Sequence, residues 1–105
     1  MIKGSCCCKA VQFELSAEPK MMGTCHCSRC RKAGASTIVF IKRDMLSWIS
    51  GKEHVALYQP SAPYQYGRCF CKICGSSLVE ILSDEESFPI AANALDSAIT
   101  TRNQF

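Results

Sequence analysis

Residues 24–31 read Thr-Cys-His-Cys-Ser-Arg-Cys-Arg and place three thiols and one imidazole close together. If a strand runs from Thr24 through Cys27, then Cys25 and Cys27 project from the same face, because side chains alternate along a strand. A tight turn or short helix that begins near Ser28, a good N-cap residue, brings Cys30 back over the same point. Three thiolates from one local element indicate a zinc site whose fourth position is open to water or substrate.

The cysteine content is high, with nine cysteines in 105 residues. This composition is typical either of a disulfide scaffold in a secreted protein or of metal ligation in a reducing compartment. Residues 1–5 contain no apolar run of signal-peptide length, and no segment approaches transmembrane length, so we expect a cytoplasmic protein without a membrane partner. An odd number of thiols cannot all pair, and cysteines as close as Cys25 and Cys27 make poor disulfide partners. The composition therefore favours metal ligands.

The length predicts a single domain over residues 1–105 with one modest core. The formal net charge is +3. Ligation of two zinc ions by seven thiolates brings the loaded protein near neutrality, because thiol protons are lost on metal binding. The pI of 8.4 also lies below the value typical of a nucleic-acid-binding domain. We therefore do not expect a nucleic-acid partner, and the sequence does not predict an oligomeric state.

Short apolar segments separated by turn residues predict an all-β fold with very little helix. Alternation from Gly4 to Leu15 predicts one half-buried strand, on which Cys6 and Cys8 share a face and Cys7 points away. Residues 37–41 form a continuous run rich in β-branched residues, typical of a strand buried on both faces. Other expected elements are strands at 48–51, 55–58, 77–82 and 89–92, about one helical turn at 42–46, and a patternless tail at 97–105.

Residues 59–67 are predicted to form a loop, because they contain two prolines and a glycine. This loop also carries Tyr64 and Tyr66. The two tyrosines either stack on a ligand or cover the core.

A second cysteine motif occupies residues 71–75, where Cys71 and Cys74 are separated by two residues and followed by Gly75. This spacing is typical of a zinc knuckle, and glycine can adopt the positive φ that such a turn needs. The simplest closure joins this pair to Cys6 and Cys8 in one four-thiolate structural site. Structural zinc supplies on the order of 10 kcal/mol to folding, so this site is expected to stabilise a small domain decisively.

Cys7 and Cys69 remain after these assignments. Cys69 lies two residues before Cys71 and competes with it as a ligand, so the choice of Cys71 depends on the knuckle spacing alone. The spare thiols also suggest a third type of function, a redox or metal-buffering role.

The residues around the central cluster leave one alternative open. His26 is expected to point away from the face of Cys25 and Cys27, and so to act beside the site or at the surface rather than as a ligand. A second interpretation is a purely structural zinc, whose shell is closed by His54 or Cys69.

With these residues in place, the chain resembles the family of glutathione-dependent formaldehyde-activating enzymes, which also includes centromere protein V. The matching pieces follow the family's order and cover nearly the whole chain. They are Gly4-Ser5-Cys6-x-Cys8, Cys25-His26-Cys27-Ser28-x-Cys30-Arg31, Gly51 with Tyr58, Arg68-x-Phe70-Cys71-x-x-Cys74-Gly75-Ser76, and Asn93-x-Leu95-Asp96.

This resemblance implies the β-tent type of fold, in which folded β-sheets are stapled by a structural zinc. It implies that the ligands of this zinc are Cys6, Cys8, Cys71 and Cys74. It also implies a catalytic zinc on Cys25, Cys27 and Cys30, so two zinc ions per chain are expected. In the family's named reaction, formaldehyde and glutathione give S-hydroxymethylglutathione, which is a carbon-sulfur lyase reaction in reverse. The expected function is therefore a zinc-dependent carbon-sulfur lyase-type enzyme acting on a small thiol adduct.

Two departures from the family pattern stand out. Cys7 and Lys9 occupy positions where His and Gly types are expected around the first cysteine pair. The chain also stops soon after Asp96, whereas family members usually continue with another strand segment, so the domain is expected to be short at its C-terminus.

Glutathione carries two carboxylates, and basic side chains are their natural partners. The candidates are Arg29, Arg31, Lys32 and Arg68. The competing hypothesis is a non-catalytic, zinc-stabilised binding module for a protein or nucleic-acid partner, which the family's chromatin-associated branch suggests.

Overall fold

The computed structural model describes residues 1–63, 67–97, 99 and 101, and the predicted tyrosines Tyr64 and Tyr66 lie outside these ranges. The described strands are β1 (Ile2–Ser5), β2 (Gln12–Leu15), β3 (Met21–Thr24), β4 (Thr37–Lys42), β5 (Leu46–Ser50), β6 (Val55–Tyr58), β7 (Arg68–Cys71), β8 (Ser77–Val79) and β9 (Ser87–Ala91). They are accompanied by the helix α1 (Ser28–Ala33) and by 3-10 turns at Arg43–Met45, Lys52–His54 and Ala92–Ala94. The predicted all-β class is confirmed.

The strands form three small antiparallel sheets, with the orders β1-β2-β5, β3-β4-β9 and β6-β7-β8. The central strands β2, β4 and β7 each pair with a neighbour on both sides. No described helix is long and apolar enough to cross a membrane.

The core is built from the inner faces of all three sheets. In β2, Phe13 and Leu15 are fully buried while Gln12 and Glu14 are half-buried, so the predicted alternation is observed over this strand. The Phe13 ring meets Trp48 of β5 edge to face, with centroids 6.5 Å apart. In β4, Val39 and Ile41 are buried in the same cluster. Each such side chain contributes about 1.5–3 kcal/mol when it leaves water, which holds the sheets together.

The predicted single strand from Gly4 to Leu15 is wrong. β1 ends at Ser5, and the chain turns before β2 begins, so residues 6–11 join two antiparallel strands. The turn is closed by backbone hydrogen bonds from Cys6 N–H to the Val11 carbonyl (3.1 Å) and from Lys9 N–H to the Cys6 carbonyl (3.2 Å). Lys9 has φ +68°, in the left-handed region that a strand does not contain. Cys6 and Cys8 therefore approach each other through a turn rather than along one strand face.

The predicted strand at 77–82 is also too long, because β8 ends at Val79. Val79 has φ +61°, which ends the extended backbone. The chain then makes a turn in which Ser83 N–H donates to the Glu80 carbonyl at 2.8 Å. The predicted helical turn at 42–46 is observed as a 3-10 turn at Arg43–Met45.

Gly51 occupies a position that only glycine fits, at the close approach of two segments. Its φ is +80°, and a Cβ added there would lie 1.8 Å from the carbonyl oxygen of Ala10. Gly51 thus lets the loop after β5 pack directly on the turn between β1 and β2.

Candidate metal centres

The first cysteine cluster joins the β1–β2 turn to the turn that follows β7. The Sγ atoms of Cys6, Cys8, Cys71 and Cys74 all lie within 4.8 Å of one another. The Cys6 and Cys8 sulfurs are 3.6 Å apart, and those of Cys8 and Cys71 are 3.9 Å apart. Segments that are 63 residues apart in sequence therefore meet at four thiols.

Backbone N–H groups point at these sulfurs. Val11 N–H donates to Cys6 Sγ at 3.3 Å, and Ile73 N–H donates to Cys71 Sγ at 3.4 Å. The knuckle turn is closed by Gly75, which has φ +80° and donates to the Cys71 carbonyl at 2.8 Å. Donors aimed at sulfur stabilise the thiolate, which is the form that binds metals.

Ser76 connects the two halves of this cluster, a role that sequence reasoning missed although Ser76 belongs to the matching motif. Its hydroxyl accepts the Cys7 backbone N–H at 2.8 Å and lies 3.2 Å from Cys74 Sγ. The hydroxyl of Ser76 lowers the pKa of Cys74 to about 5 by hydrogen bonding to its sulfur. The only sequence feature that could have indicated this role is a hydroxyl residue two positions after a knuckle cysteine.

The second cluster consists of Cys25, Cys27 and Cys30, whose Sγ atoms also lie within 4.8 Å of one another. The Cys25 and Cys27 sulfurs are 3.5 Å apart. Cys30 is buried on α1, and Cys25 is fixed by its N–H bond to the Ser36 carbonyl at 2.7 Å. The predicted grouping of these three thiols is therefore present in the structure.

The route to this grouping differs from the prediction in two details. β3 ends at Thr24, so Cys25 and Cys27 lie in the connection to α1 rather than on a strand. Cys27, not Ser28, is the N-cap, with φ −65° and ψ 156°. The reason is that Cys27 Sγ accepts the otherwise unpaired Cys30 N–H at 3.4 Å, which replaces the hydroxyl cap expected from Ser28.

The three thiols differ in how easily they ionise. The N–H of Cys30 stabilises the thiolate of Cys27 and lowers its pKa to about 7. Burial raises the pKa of Cys30 to about 12, assisted by the neighbouring thiols Cys25 and Cys27, although the charge of Arg68 acts in the opposite direction. A cation among the three sulfurs would remove the repulsion between thiolates and favour the ionised form of all of them.

The spacing of both clusters fits zinc. Four sulfurs placed tetrahedrally around Zn²⁺ with Zn–S bonds of about 2.3 Å are separated by about 3.8 Å. The observed separations of 3.5, 3.6 and 3.9 Å are close to this value. The donors are all thiols, which suit zinc. Both cysteine clusters could therefore bind a zinc ion.

Comparison with known proteins supports the family resemblance that the sequence motifs indicate. The model of the glutathione-dependent formaldehyde-activating enzyme (GFA) family matches residues 1–104. The chain belongs to this family. The chain is also similar in structure to a Rhodobacter sphaeroides protein whose crystal structure is known, with a TM-score of 0.71 and 27% sequence identity. The match covers 93% of this chain and 91% of that chain. The comparison with curated proteins found no match.

The remaining thiols of this GFA-family chain lie outside both clusters. Cys7 is exposed, and Cys69 is buried in the core, where burial raises its pKa. His26 is exposed. Within the described ranges, the three-thiol cluster contains neither His54 nor Cys69, and His54 Nε2 instead lies 3.7 Å from a carboxylate oxygen of Glu53. The alternative closures of the central site are therefore not formed by the described residues.

Lys9, one of the departures from the family pattern, lies in the β1–β2 turn and takes part in a polar cluster with Ser5 and Asp96. Ser5 Oγ donates to Asp96 Oδ2 at 2.7 Å and accepts a hydrogen bond from Lys9 Nζ at 3.0 Å. Lys9 Nζ also lies 3.8 Å from Asp96 Oδ2, and Asp96 N–H donates to the Lys3 carbonyl at 2.7 Å. These contacts fasten the segment around Asp96 to β1.

Proposed function

We propose that this chain is a zinc-dependent carbon-sulfur lyase-type enzyme that acts on a small thiol adduct, as in the formation of S-hydroxymethylglutathione. Membership in the GFA family supports a glutathione-dependent, formaldehyde-activating type of function. The observation that carries the proposal is the contrast between the clusters, since one contains four thiols and the other three. A four-thiolate shell is closed, whereas three protein ligands leave one position for substrate.

In this proposal, the structural zinc is held by Cys6, Cys8, Cys71 and Cys74. The catalytic zinc is held by Cys25, Cys27 and Cys30, which gives two zinc ions per chain. When bound, zinc supplies positive charge that stabilises a thiolate or polarises a carbonyl oxygen. The reaction forms a bond between the thiolate sulfur and the aldehyde carbon, and the former carbonyl oxygen takes up a proton.

The protein holds its three catalytic thiols in place through the backbone. Cys27 accepts the Cys30 N–H, and the N–H of Cys25 is tied to the Ser36 carbonyl. Arg68 places a positive charge beside Cys30. This charge compensates part of the negative charge that three thiolates and a substrate thiolate bring together. The arrangement therefore orients the sulfurs before substrate binds.

We also propose one domain over residues 1–105 and a cytoplasmic location. All nine cysteines are free of disulfide bonds. Thiols that serve as metal ligands persist where the compartment is reducing.

Metal stoichiometry tests the proposal directly. We expect about two zinc ions per wild-type chain and about one in Cys27→Ser, because that variant removes one of three ligands. Cys7→Ser is the matched control, since Cys7 is exposed and belongs to neither cluster, and it should retain both ions. Glutathione should perturb the metal that Cys27→Ser loses and leave the other metal unchanged.

Turnover is the second test. We expect the wild type to form S-hydroxymethylglutathione from formaldehyde and glutathione faster than buffer alone, and Cys27→Ser to lose this acceleration. A single zinc ion in both proteins, or a second metal that is indifferent to thiols, would contradict the enzyme assignment. That result would favour the zinc-stabilised binding module instead.

A further inference from the structure

A cavity of about 480 Å³ lies between α1 and the strands β6 and β7. Its volume falls in the range of about 300–1,000 Å³ that is typical of small-molecule sites. Three cationic side chains, Arg29, Lys32 and Arg68, line it together with the ring residues Tyr58 and Pro60, and no acidic residue is among its described lining. The cavity therefore combines apolar walls with a positive charge.

This cavity adjoins the three-thiol cluster. Its lining residues Ser28 and Arg29 directly follow Cys27 in the chain. Arg68 lines the cavity, and its charge also acts on the Cys30 thiol. A thiol whose sulfur reaches the cluster would therefore have its other groups in the cavity.

Arg68 is the most informative residue of this wall. Its Nε and Nη2 atoms are buried and have no hydrogen-bond partner among the described residues. Neither ion pair observed in the described part of the chain, Lys9–Asp96 and Glu53–His54, involves it. Because water does not reach these atoms, the guanidinium is already partly desolvated by the fold. An anion that enters the cavity therefore gains Coulomb attraction without a further large loss of hydration from Arg68.

Acidic and basic side chains line different cavities, since Arg68 lines the basic one whereas Cys69, the next residue of β7, lines another. A separate cavity of about 390 Å³ is lined by Glu80, Asp84 and Glu85. Glu80 interacts through charge with both Arg68 and Arg29, but it forms no ion-pair contact with Arg68. The carboxylates of Glu80, Asp84 and Glu85 thus do not line the basic cavity beside the three-thiol cluster.

We propose that the basic cavity binds a carboxylate of the thiol substrate, with Arg68 and Lys32 as positioning residues. This binding mode rests on the proposed function, because the substrate sulfur must reach the three-thiol cluster. It restricts the substrate class to thiols that carry a carboxylate within reach of the sulfur, a class that includes glutathione. Neutral thiols lack the matching charge, and aminothiols meet repulsion from the cationic wall.

The test uses the full chain loaded with Co²⁺, whose absorption changes when a thiolate sulfur binds. Glutathione, mercaptosuccinate, 2-mercaptoethanol and cysteamine are each titrated, and the dissociation constants are compared. We expect the two carboxylate-bearing thiols to bind most tightly and cysteamine least. In Arg68→Gln, the preference for glutathione over 2-mercaptoethanol should fall by about 10- to 100-fold, the range for losing a hydrogen bond to a charged group.

Two further variants keep this test decisive. Lys32→Gln changes an exposed lining residue of α1 and should reduce the same preference without affecting the fold. Arg31→Gln is the matched control, because Arg31 is exposed on the same helix, has the same charge as Arg68 and does not line the cavity. It should leave the preference unchanged.

The outcomes separate the two proposals. All four thiols could change the Co²⁺ spectrum while neither Arg68→Gln nor Lys32→Gln alters the preference for glutathione over 2-mercaptoethanol. In that case the carboxylate site is wrong, and the assignment of an open metal position is retained. If Arg31→Gln lowers the preference as much as Arg68→Gln, the effect is one of general charge and the assignment of the cavity is also wrong. If no thiol changes the spectrum of the wild type, both proposals fail.

Discussion

Replacing Cys71 by serine should nearly unfold the protein, and this change tests the four-thiol cluster most severely. Cys71 is fully buried, and its sulfur is one of the four that connect the β1–β2 turn with the β7–β8 turn. Serine has nearly the same shape, so the change leaves the core filled. Its hydroxyl is a poor zinc ligand in comparison with a thiolate, so we expect the metal to be lost.

The size of the effect follows from the distance that the cluster spans along the chain. Cys8 and Cys71 are separated by 63 residues. Cross-linking a loop of that length disfavours the unfolded chain by about 4 kcal/mol. The full contribution of a structural zinc is on the order of 10 kcal/mol, and a domain of this kind has a free energy of unfolding of about 5–15 kcal/mol. A loss of 4 kcal/mol alone lowers the melting temperature by about 16 °C or more.

Thermal unfolding followed by circular dichroism measures this loss, with Cys7→Ser as the control. Cys7 is adjacent to the cluster in sequence, but its thiol is exposed and contributes no ligand. A chelator should lower the melting temperature of the wild type and of Cys7→Ser toward that of Cys71→Ser. If Cys71→Ser melts within about 5 °C of Cys7→Ser, the cluster contributes roughly 1 kcal/mol and the structural-zinc assignment is refuted.

Three further predictions concern the fold and the spare thiols. Gly51→Ala should lower the free energy of unfolding, measured in urea, by about 2 kcal/mol or more. Gly34 also has a positive φ, +71°, but nothing lies near its added Cβ, so Gly34→Ala should lower this free energy by only about 1 kcal/mol. Equal losses in the two variants would contradict the close approach at Gly51. Phe13→Ala should cost about 3–5 kcal/mol in the same assay, because Phe13 is fully buried, and a loss below about 1 kcal/mol would place it outside the core. In the metal-loaded protein, iodoacetamide should modify the exposed Cys7 but should modify the buried Cys69 only after denaturation. Mass spectrometry of the peptides measures this labelling, and rapid labelling of Cys69 in the folded protein would be inconsistent with its burial.

Much of the fold could be predicted because it depends on near neighbours in the chain. The run of β-branched residues at 37–41 lies within β4, and the alternation around Phe13 and Leu15 gives the buried face of β2. The knuckle spacing correctly indicated a tight turn in which Gly75 takes a positive φ. Each of these features is set by backbone sterics and side-chain period over a few residues, so a local pattern is sufficient to reveal it.

Local patterns were not sufficient where a strand and a turn suit the same residues. Alternation through Cys6 and Cys8 predicted a strand, but the hydrogen bond from Cys6 N–H to the Val11 carbonyl closes a hairpin turn there. Ser28 was the expected helix cap, but the Cys27 thiol takes that role. In both places the deciding interaction is a hydrogen bond whose partner the residue pattern does not specify.

The three-thiol cluster is encoded locally, because Cys25, Cys27 and Cys30 come from one connection and one helical turn. The four-thiol cluster and the basic cavity are not. The meeting of Cys8 with Cys71, and the position of Arg68 beside α1, depend on how three separate sheets pair and pack. Contacts between distant residues are decided by strand register and burial in a common core, and these are properties of the whole fold.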